Sequence, residues 1–528
     1  MTISDLDGFK SAIKECGFDN FWSSFIKTYL FKTRPDLMPE PGDIDLDMRC
    51  NIFEFDNIGE LYEIGLAFDN QISKKQLGQY YTPKDTCQFM AQKTIDLFNE
   101  KTDNLADVCC GTGNLIIEVL SILGEKKSSE IIKSGKLYLY DLDRNAIRLA
   151  IMKIAILFVP KDDTATFSKM SELIHIGHGN FLSNEIHLPD NTVVISNPPY
   201  GKMPAGTEIW DQCETASTND MYTIFMDKMA SESKSAVIIS PQSFLGGNKF
   251  APLRVVLSKF GGCIYSFDNI PCPIFIGKKK GIFNTNTINS VRAAITIVDK
   301  TKCGFRVSPM IRFKASEREE MFAQLDNLLG NITYTGPEPW TKIPKTLEPI
   351  ITELKNATET VNDLIEKKTE KQERKFKLTV PSTPRYFITG SRRDLDRSSK
   401  IEIFAKDQDS FERLYVMINS TFSYLWWRIY DGGITLSKQT LLSMPVPNLS
   451  AEEMKQIVED GISMEEGCIV NKMNAGKNNE NIKFPDDYRK KVNHFILNAL
   501  NASDADDTLY SIHSNNLTAV LPLWITTD

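Results

Sequence analysis

The chain has 528 residues, 41% of them apolar and 25% charged, and a net charge of −8. That length exceeds what one hydrophobic core supports and implies roughly three domains of globular composition. No uninterrupted apolar run approaches the ~18–20 residues that would cross a bilayer, and the acidic balance speaks against wholesale wrapping of nucleic acid while leaving room for a local basic cleft.

The ten cysteines are scattered without any Cys-x-x-Cys pair, so neither a zinc site nor a disulfide framework is expected. Met1-Thr2-Ile3-Ser4-Asp5 lacks the basic and apolar regions of a signal peptide, and a cytoplasmic location with reduced thiols is the expectation. His175 and His178 have no further ligands close by and are read as structural, with no metal.

Residues 1–72 read as a helical region: Phe9, Ile13, Phe18, Phe21, Phe25 and Tyr29 recur at helical spacing until Pro35, Pro39, Pro41 and Gly42 interrupt them. A second helix is expected near Ile58 to Tyr62. The acidic run around Asp43, Asp45 and Asp47 reads as a solvated loop, and no catalytic constellation is apparent in this region.

Gly78-Gln79-Tyr80-Tyr81-Thr82-Pro83 opens the next unit, with Thr82 expected to cap a helix whose first residue is Pro83. A helix N-terminus of this kind suits a carboxylate. A strand then ends at Asp107 and leads through Cys109-Cys110 into Gly111-Thr112-Gly113, where the glycines let the backbone approach a ligand closely. A dinucleotide fingerprint would require a third glycine, and Ile116 stands there. A second strand ends at Asp141, whose carboxylate can accept both hydroxyls of a ribose. A third segment ends at Gly179-Asn180-Phe181-Leu182. Here Asn180 can hydrogen-bond an adenine, or simply make a turn, and Phe181 can pack beside the base.

The chain is organised around its next segment. Thr192-Val193-Val194-Ile195-Ser196 reads as a short buried strand, and Asn197-Pro198-Pro199-Tyr200 ends it. The prolines hold Asn197 extended at a strand's C-terminal end, where open α/β sheets place their ligands. The Asn197 and Pro198 carbonyl oxygens can accept the two hydrogens of an exocyclic amine, which frees its lone pair in the transition state. Tyr200 offers a face on which a base can stack.

This ordered set resembles the amino-group DNA methyltransferases of the adenine-N6 type, specifically the modification subunits of type I restriction systems and related type II and IIG enzymes. The resemblance covers residues 74–300. It implies a seven-stranded, mostly parallel, Rossmann-like sheet with helices on both faces. It also implies S-adenosyl-L-methionine as methyl donor, double-stranded DNA as partner, and extrusion of the target base. The catalytic residues it implies are Asn197, Pro198, Pro199 and Tyr200. Cofactor contacts fall to Gln79, Tyr80, Tyr81, Thr82, Pro83, Asp107, Gly111, Thr112, Gly113, Asp141, Asn180 and Phe181. A second base-stacking aromatic is not identifiable; Phe275 and Phe283 are candidates. The segment Arg292 to Val298 resembles the final antiparallel strand.

Further along, Lys278, Lys279 and Lys280 sit in a loop that reads equally as a phosphate contact or as a solvated charge run. Residues 367–400 hold eleven Lys/Arg against four Asp/Glu, with Arg385, Arg392 and Arg393 interleaved with aromatics as on a nucleic-acid surface. Leu414 to Arg428 reads as one strongly apolar helix, and residues 474–482 as a polar linker between helices. The expected division is a helical region at 1–72, a methyltransferase domain at 73–310, a target-recognition domain at 311–450 and a helical region at 451–528. A specificity or restriction subunit is a conceivable partner. Rival readings are a methyltransferase acting on protein glutamine or RNA, and a non-catalytic assembly subunit. A fused nuclease finds no Asp…Glu-x-Lys cluster to support it.

Overall fold

The structure is a computed structural model that describes residues 3–40, 58–68, 82–269, 272–275, 291–366, 375–384, 387–430, 435–474 and 477–512. Its centre is a mixed α/β layer built on a large, mostly parallel sheet. The strands are β1 (Asn104–Asp107), β2 (Leu137–Asp141), β3 (Ile174–His178), β4 (Thr192–Ser196), β5 (Ser235–Pro241), β6 (Gly261–Phe267), β7 (Ala293–Asp299), β8 (Gly304–Ile311) and β9 (Thr333–Tyr334). Their order across the sheet is β3-β2-β1-β4-β5-β7-β6-β8-β9, with β7 antiparallel to both its neighbours and β9 antiparallel to β8. Nine strands therefore stand where seven were expected, and β7 is not the last of them. Two more are added: the mostly buried Gly304–Ile311 pairs with β6, and the short β9 pairs in turn with β8.

The period of two along each strand divides the sheet into two cores. Leu105, Ile195, Val237, Ile239 and Ile295 enter one apolar cluster, while Ala106, Val194, Ala236, Ile238 and Ala294 enter the other. Both faces are covered, which is why β4, β5 and β7 read as nearly unbroken apolar runs. Strands β1, β2 and β4 run parallel, so Asp107, Asp141 and Asn197 emerge at one edge of the sheet.

Ahead of the sheet lie α1 (Ile3–Cys16), α2 (Phe18–Thr33) and α3 (Ile58–Phe68). Phe9, Phe21, Trp22, Phe25 and Tyr62 form their core, which closes onto Ala146, Leu149 and Met152 of the helix Arg144–Phe158. Beyond the sheet, one buried apolar cluster extends from Ile343 to Leu509 and crosses residue 450 without interruption.

Three local expectations are corrected. Leu414 to Arg428 is not one helix: Gln408–Asn419 ends at Ser420, which is extended (φ −85°, ψ 168°), and Thr421–Tyr430 begins anew. The segment read as a polar linker is a β-hairpin, Ile469–Asn474 paired with Lys477–Ile482. Thr82 does not cap the helix Lys84–Leu97; Pro83 occupies the cap position, and the Thr82 hydroxyl is engaged elsewhere.

Candidate active site

A cavity of about 970 Å³ lies along the C-terminal edge of β1, β2, β3 and β4. Thr82, Asp107, Gly111, Thr112, Asp141, Asn180, Phe181, Asn197 and Pro199 all line it. Residues from the ends of four strands, spread over about ninety positions in sequence, thus face a single space. Pro83, Gly113, Pro198 and Tyr200 stand beside it rather than in its described lining. Gln79, Tyr80, Tyr81, Lys278, Lys279, Lys280, Phe283 and Arg385 fall outside the described residues. Arg392 and Arg393 are exposed on the C-terminal unit, away from the lining, and Arg393 pairs with Glu466 at 3.4 Å.

The turn after β1 depends on backbone conformations that glycine supplies. Gly111 (φ +49°) and Gly113 (φ +80°) are both left-handed. A Cβ on Gly113 would lie 2.9 Å from the Ala150 Cβ, so the turn and the helix Arg144–Phe158 touch there. Lys153 supports the turn from beneath, donating to the Thr112 carbonyl and to Asn114 Oδ1, both at 2.8 Å. Burial pulls its ammonium down to about 8. The adjacent thiols of Cys109 and Cys110 are pushed up by burial and stay neutral.

Asp107 is wholly buried, accepting from the Cys109 N–H and from Ser196 Oγ, each at 3.1 Å. Burial raises its carboxyl to about 7. Asp141 accepts from the Gly111 N–H at 2.7 Å and the Asp143 N–H at 2.9 Å, and burial raises it to about 6. A carboxylate offers about four acceptor positions, so Asp141 retains capacity for a hydroxyl group. Five carboxylates line the cavity (Asp19, Glu63, Asp107, Asp141 and Asp143) against the cations Lys14 and Arg144, among the described residues. The field there favours a cationic ligand. Asn180 commits its side chain to the protein, accepting from the Leu182 N–H of its own turn at 3.1 Å and donating to the distant Glu208 carbonyl at 2.8 Å. Phe181 is buried and stacks on Phe225 at 5.9 Å.

The Asn197 amide is held at both ends. Its Nδ2 donates to Thr82 Oγ1 at 3.0 Å, and its Oδ1 accepts from the Tyr200 hydroxyl at 2.7 Å. That hydroxyl also approaches the Ile239 carbonyl at 3.3 Å. The Tyr200 ring meets Phe275 edge-on, 6.0 Å between centroids and 62° between planes. Phe275 is itself 1% exposed. One guanidinium fixes this surround from behind. Arg318 donates to Asp85 Oδ1 (2.8 Å), three residues after Thr82, and to the carbonyls of Pro273 (3.0 Å) and Ile274 (3.1 Å).

Farther along the same edge, Asp268 follows β6 and receives three guanidinium groups. Arg292 and Arg312 each donate through Nε at 2.8 Å, and Arg428 reaches it from the helix Thr421–Tyr430. The arginines outweigh the opposing effect of burial and hold the Asp268 carboxyl far below the usual range.

Residues 54–307 match the family described as N-6 DNA methylase. The matched stretch makes up just under half of the chain. The chain is similar to the type I restriction enzyme MpnII methylase subunit of Mycoplasma pneumoniae, 29% identical over 154 residues that make up 29% of this chain and 27% of the relative. It is also similar to the type II methyltransferase M.VspI of a Vibrio species, 26% identical over 189 residues covering 34% of this chain and 39% of that one. The chain therefore matches well under half the length of either relative. Among solved structures it is similar to the type I restriction-modification methyltransferase subunit of Streptococcus thermophilus, with a TM-score of 0.34 and 16% identity, covering 52% of this chain and 58% of that one.

The sequence reading did not reach several groups around this cavity. Asp143, Lys153, Asp268 and Arg318 act through neighbours that only the fold brings close. The N-terminal residues Phe18, Asp19 and Tyr62 also line the cavity, although that region had shown no constellation of its own. Asp143 alone left a signal, as an Asp just ahead of a helical pattern. It accepts from the N–H groups of Asn145 (3.0 Å) and Ala146 (3.2 Å) as a helix cap.

Proposed function

We propose that this protein transfers a methyl group from S-adenosyl-L-methionine to the exocyclic N6 amine of adenine in DNA, as a modification enzyme of restriction–modification type. One observation carries the reading: Asn197 and Pro199 open into the same cavity as Asp107 and Asp141. The residues present suit the cofactor. Asp141 retains acceptor capacity for a ribose hydroxyl, the Gly111–Gly113 turn leaves its backbone approachable, and the carboxylate-rich lining complements a ligand that bears a sulfonium and an ammonium. When bound, the cofactor supplies an electrophilic methyl carbon.

The chain supplies position and polarity. Thr82 and Tyr200 keep the amide plane of Asn197 from rotating. The Asn197 side-chain oxygen and the Pro198 carbonyl are the acceptors for the two amine hydrogens. Holding acceptors in place before reaction avoids reorganisation in the transition state. Because Tyr200 is committed by its hydroxyl and its edge contact with Phe275, it meets an incoming base in this orientation or swings on arrival. The exposed Arg392 and Arg393 belong with the proposed target-recognition region at 311–450, where they fit phosphate contacts. The similarity to a type I methylase subunit makes a specificity subunit a proposed partner.

The test is incubation of the chain with radiolabelled S-adenosyl-L-methionine and DNA from an unmethylated host, then nucleoside analysis, with RNA and protein extract in parallel. Label in N6-methyladenine of DNA is the expected result. Asn197→Ala should abolish transfer while cofactor binding survives. Label confined to RNA or protein, or an active Asn197→Ala variant, overturns the reading. Sequencing of genomic DNA from an expressing host gives the recognition site and includes any partner the host supplies.

A further inference from the structure

The N-terminal helices are more than a neighbouring bundle. α1, α2 and α3, with the turn at Gly17, contribute 11 of the 34 described residues that line the cavity. They also grip the helix Arg144–Phe158 at both ends. At its start the Tyr62 hydroxyl donates to Asp143 Oδ2 at 2.6 Å, and the Asn145 amide donates to Asp19 Oδ1 at 2.6 Å. At its end Arg34 donates to the carbonyls of Ile156 (3.2 Å), Val159 (3.0 Å) and Pro160 (3.2 Å), satisfying acceptors that the helix leaves free. The grip bears directly on the cofactor loops. Asp143, held by Tyr62, donates its own N–H to Asp141. On the β1 side, Gly59 sits so close to the turn that a Cβ there would lie 2.8 Å from Thr112 Oγ1 and 3.2 Å from Asn114. Tyr62 is 2% exposed, so its hydroxyl has little access to water as an alternative partner.

We infer that docking of α1–α3 is thermodynamically coupled to occupancy of the cavity, with Tyr62 as a positioning residue that sets Asp141 through Asp143. The inference rests on the cofactor reading under Proposed function. Two loops that must converge on one ligand are each pinned by the same helical unit, so a ligand that orders the loops tightens the unit, and loosening the unit weakens the ligand.

The test uses the full chain and S-adenosylhomocysteine as the probe. Calorimetry should give a dissociation constant about tenfold weaker for Tyr62→Phe, the equivalent of one lost hydrogen bond. The KM for S-adenosyl-L-methionine should rise in parallel, with kcat at saturation and the KM for DNA unchanged. Gly59→Ala should weaken binding from the other loop. In the wild type, saturating probe should slow amide exchange in residues 9–33 and 58–68, a measurement that needs no variant to fold. Unchanged affinity in both variants, or unchanged exchange in both segments, overturns the coupling. Asp141→Ala separates the two readings. If it loses the probe while neither Tyr62→Phe nor Gly59→Ala does, only the coupling fails; if wild type itself does not bind, the cofactor reading falls and the coupling with it.

Discussion

The Asn197 amide depends on a hydroxyl that the sequence reading placed on a helix cap. Thr82→Val keeps the shape and removes the acceptor for Nδ2. We expect kcat to fall about tenfold, near the worth of one hydrogen bond, with the dissociation constant for S-adenosyl-L-methionine unchanged; single-turnover kinetics and calorimetry together check this. A second prediction concerns protons. Asp107 and Asp141 are raised by burial to about 7 and about 6, so the folded protein holds these protons more tightly than the unfolded chain does. Their effect on stability is favourable at low pH and is lost as pH rises through the folded values. Binding runs the other way, because a cation that donates hydrogen bonds prefers the ionised carboxylates. Affinity for S-adenosyl-L-methionine should rise from about pH 5.5 to about pH 8, and Asp141→Asn should flatten that profile in calorimetry across the range.

At the scale of elements, the site was legible where chemistry and periodicity coincide. β1, β2 and β4 are short apolar runs, the first two closing on an Asp ahead of a turn and the third followed by Asn197 and two prolines, so Asp107, Asp141 and Asn197 could be placed at strand ends from sequence alone. The hairpin Ile469–Ile482 escaped because its residues are polar on both faces and show no alternation; Met473 is 71% exposed. The break at Ser420 escaped for the opposite reason. Apolar residues continue across it, and the stop comes from long-range bonds: Asn419 exchanges hydrogen bonds with the Gly390 backbone at 2.9 and 3.0 Å. The turn after β1 supplies the test at this scale. Gly113→Ala places a Cβ at positive φ and against Ala150, so it should lower stability by roughly 1–2 kcal/mol or more, read as a denaturation midpoint, and weaken the cofactor beyond that loss.

Across the whole molecule, the C-terminal unit is fastened to the sheet through charge. Asp268 is 2% exposed and balances arginines from three distant segments, one of them in the helix Thr421–Tyr430. Asp268→Asn leaves buried guanidinium groups uncompensated and should cost about 3–5 kcal/mol in urea denaturation. Because the folded carboxyl lies far below its ordinary value, the stability it contributes is complete above about pH 4 and disappears as acid protonates it. Arg318 makes a comparable link nearer the chemistry. It lies beyond residue 307, outside the stretch that matches the family, yet it braces the helix start beside Thr82 and the loop that carries Phe275. Arg318 thus fixes the neighbours of Thr82 and Phe275 from outside the matched stretch. Anyone grafting residues 54–307 onto another scaffold would carry over the reacting groups and leave their brace behind.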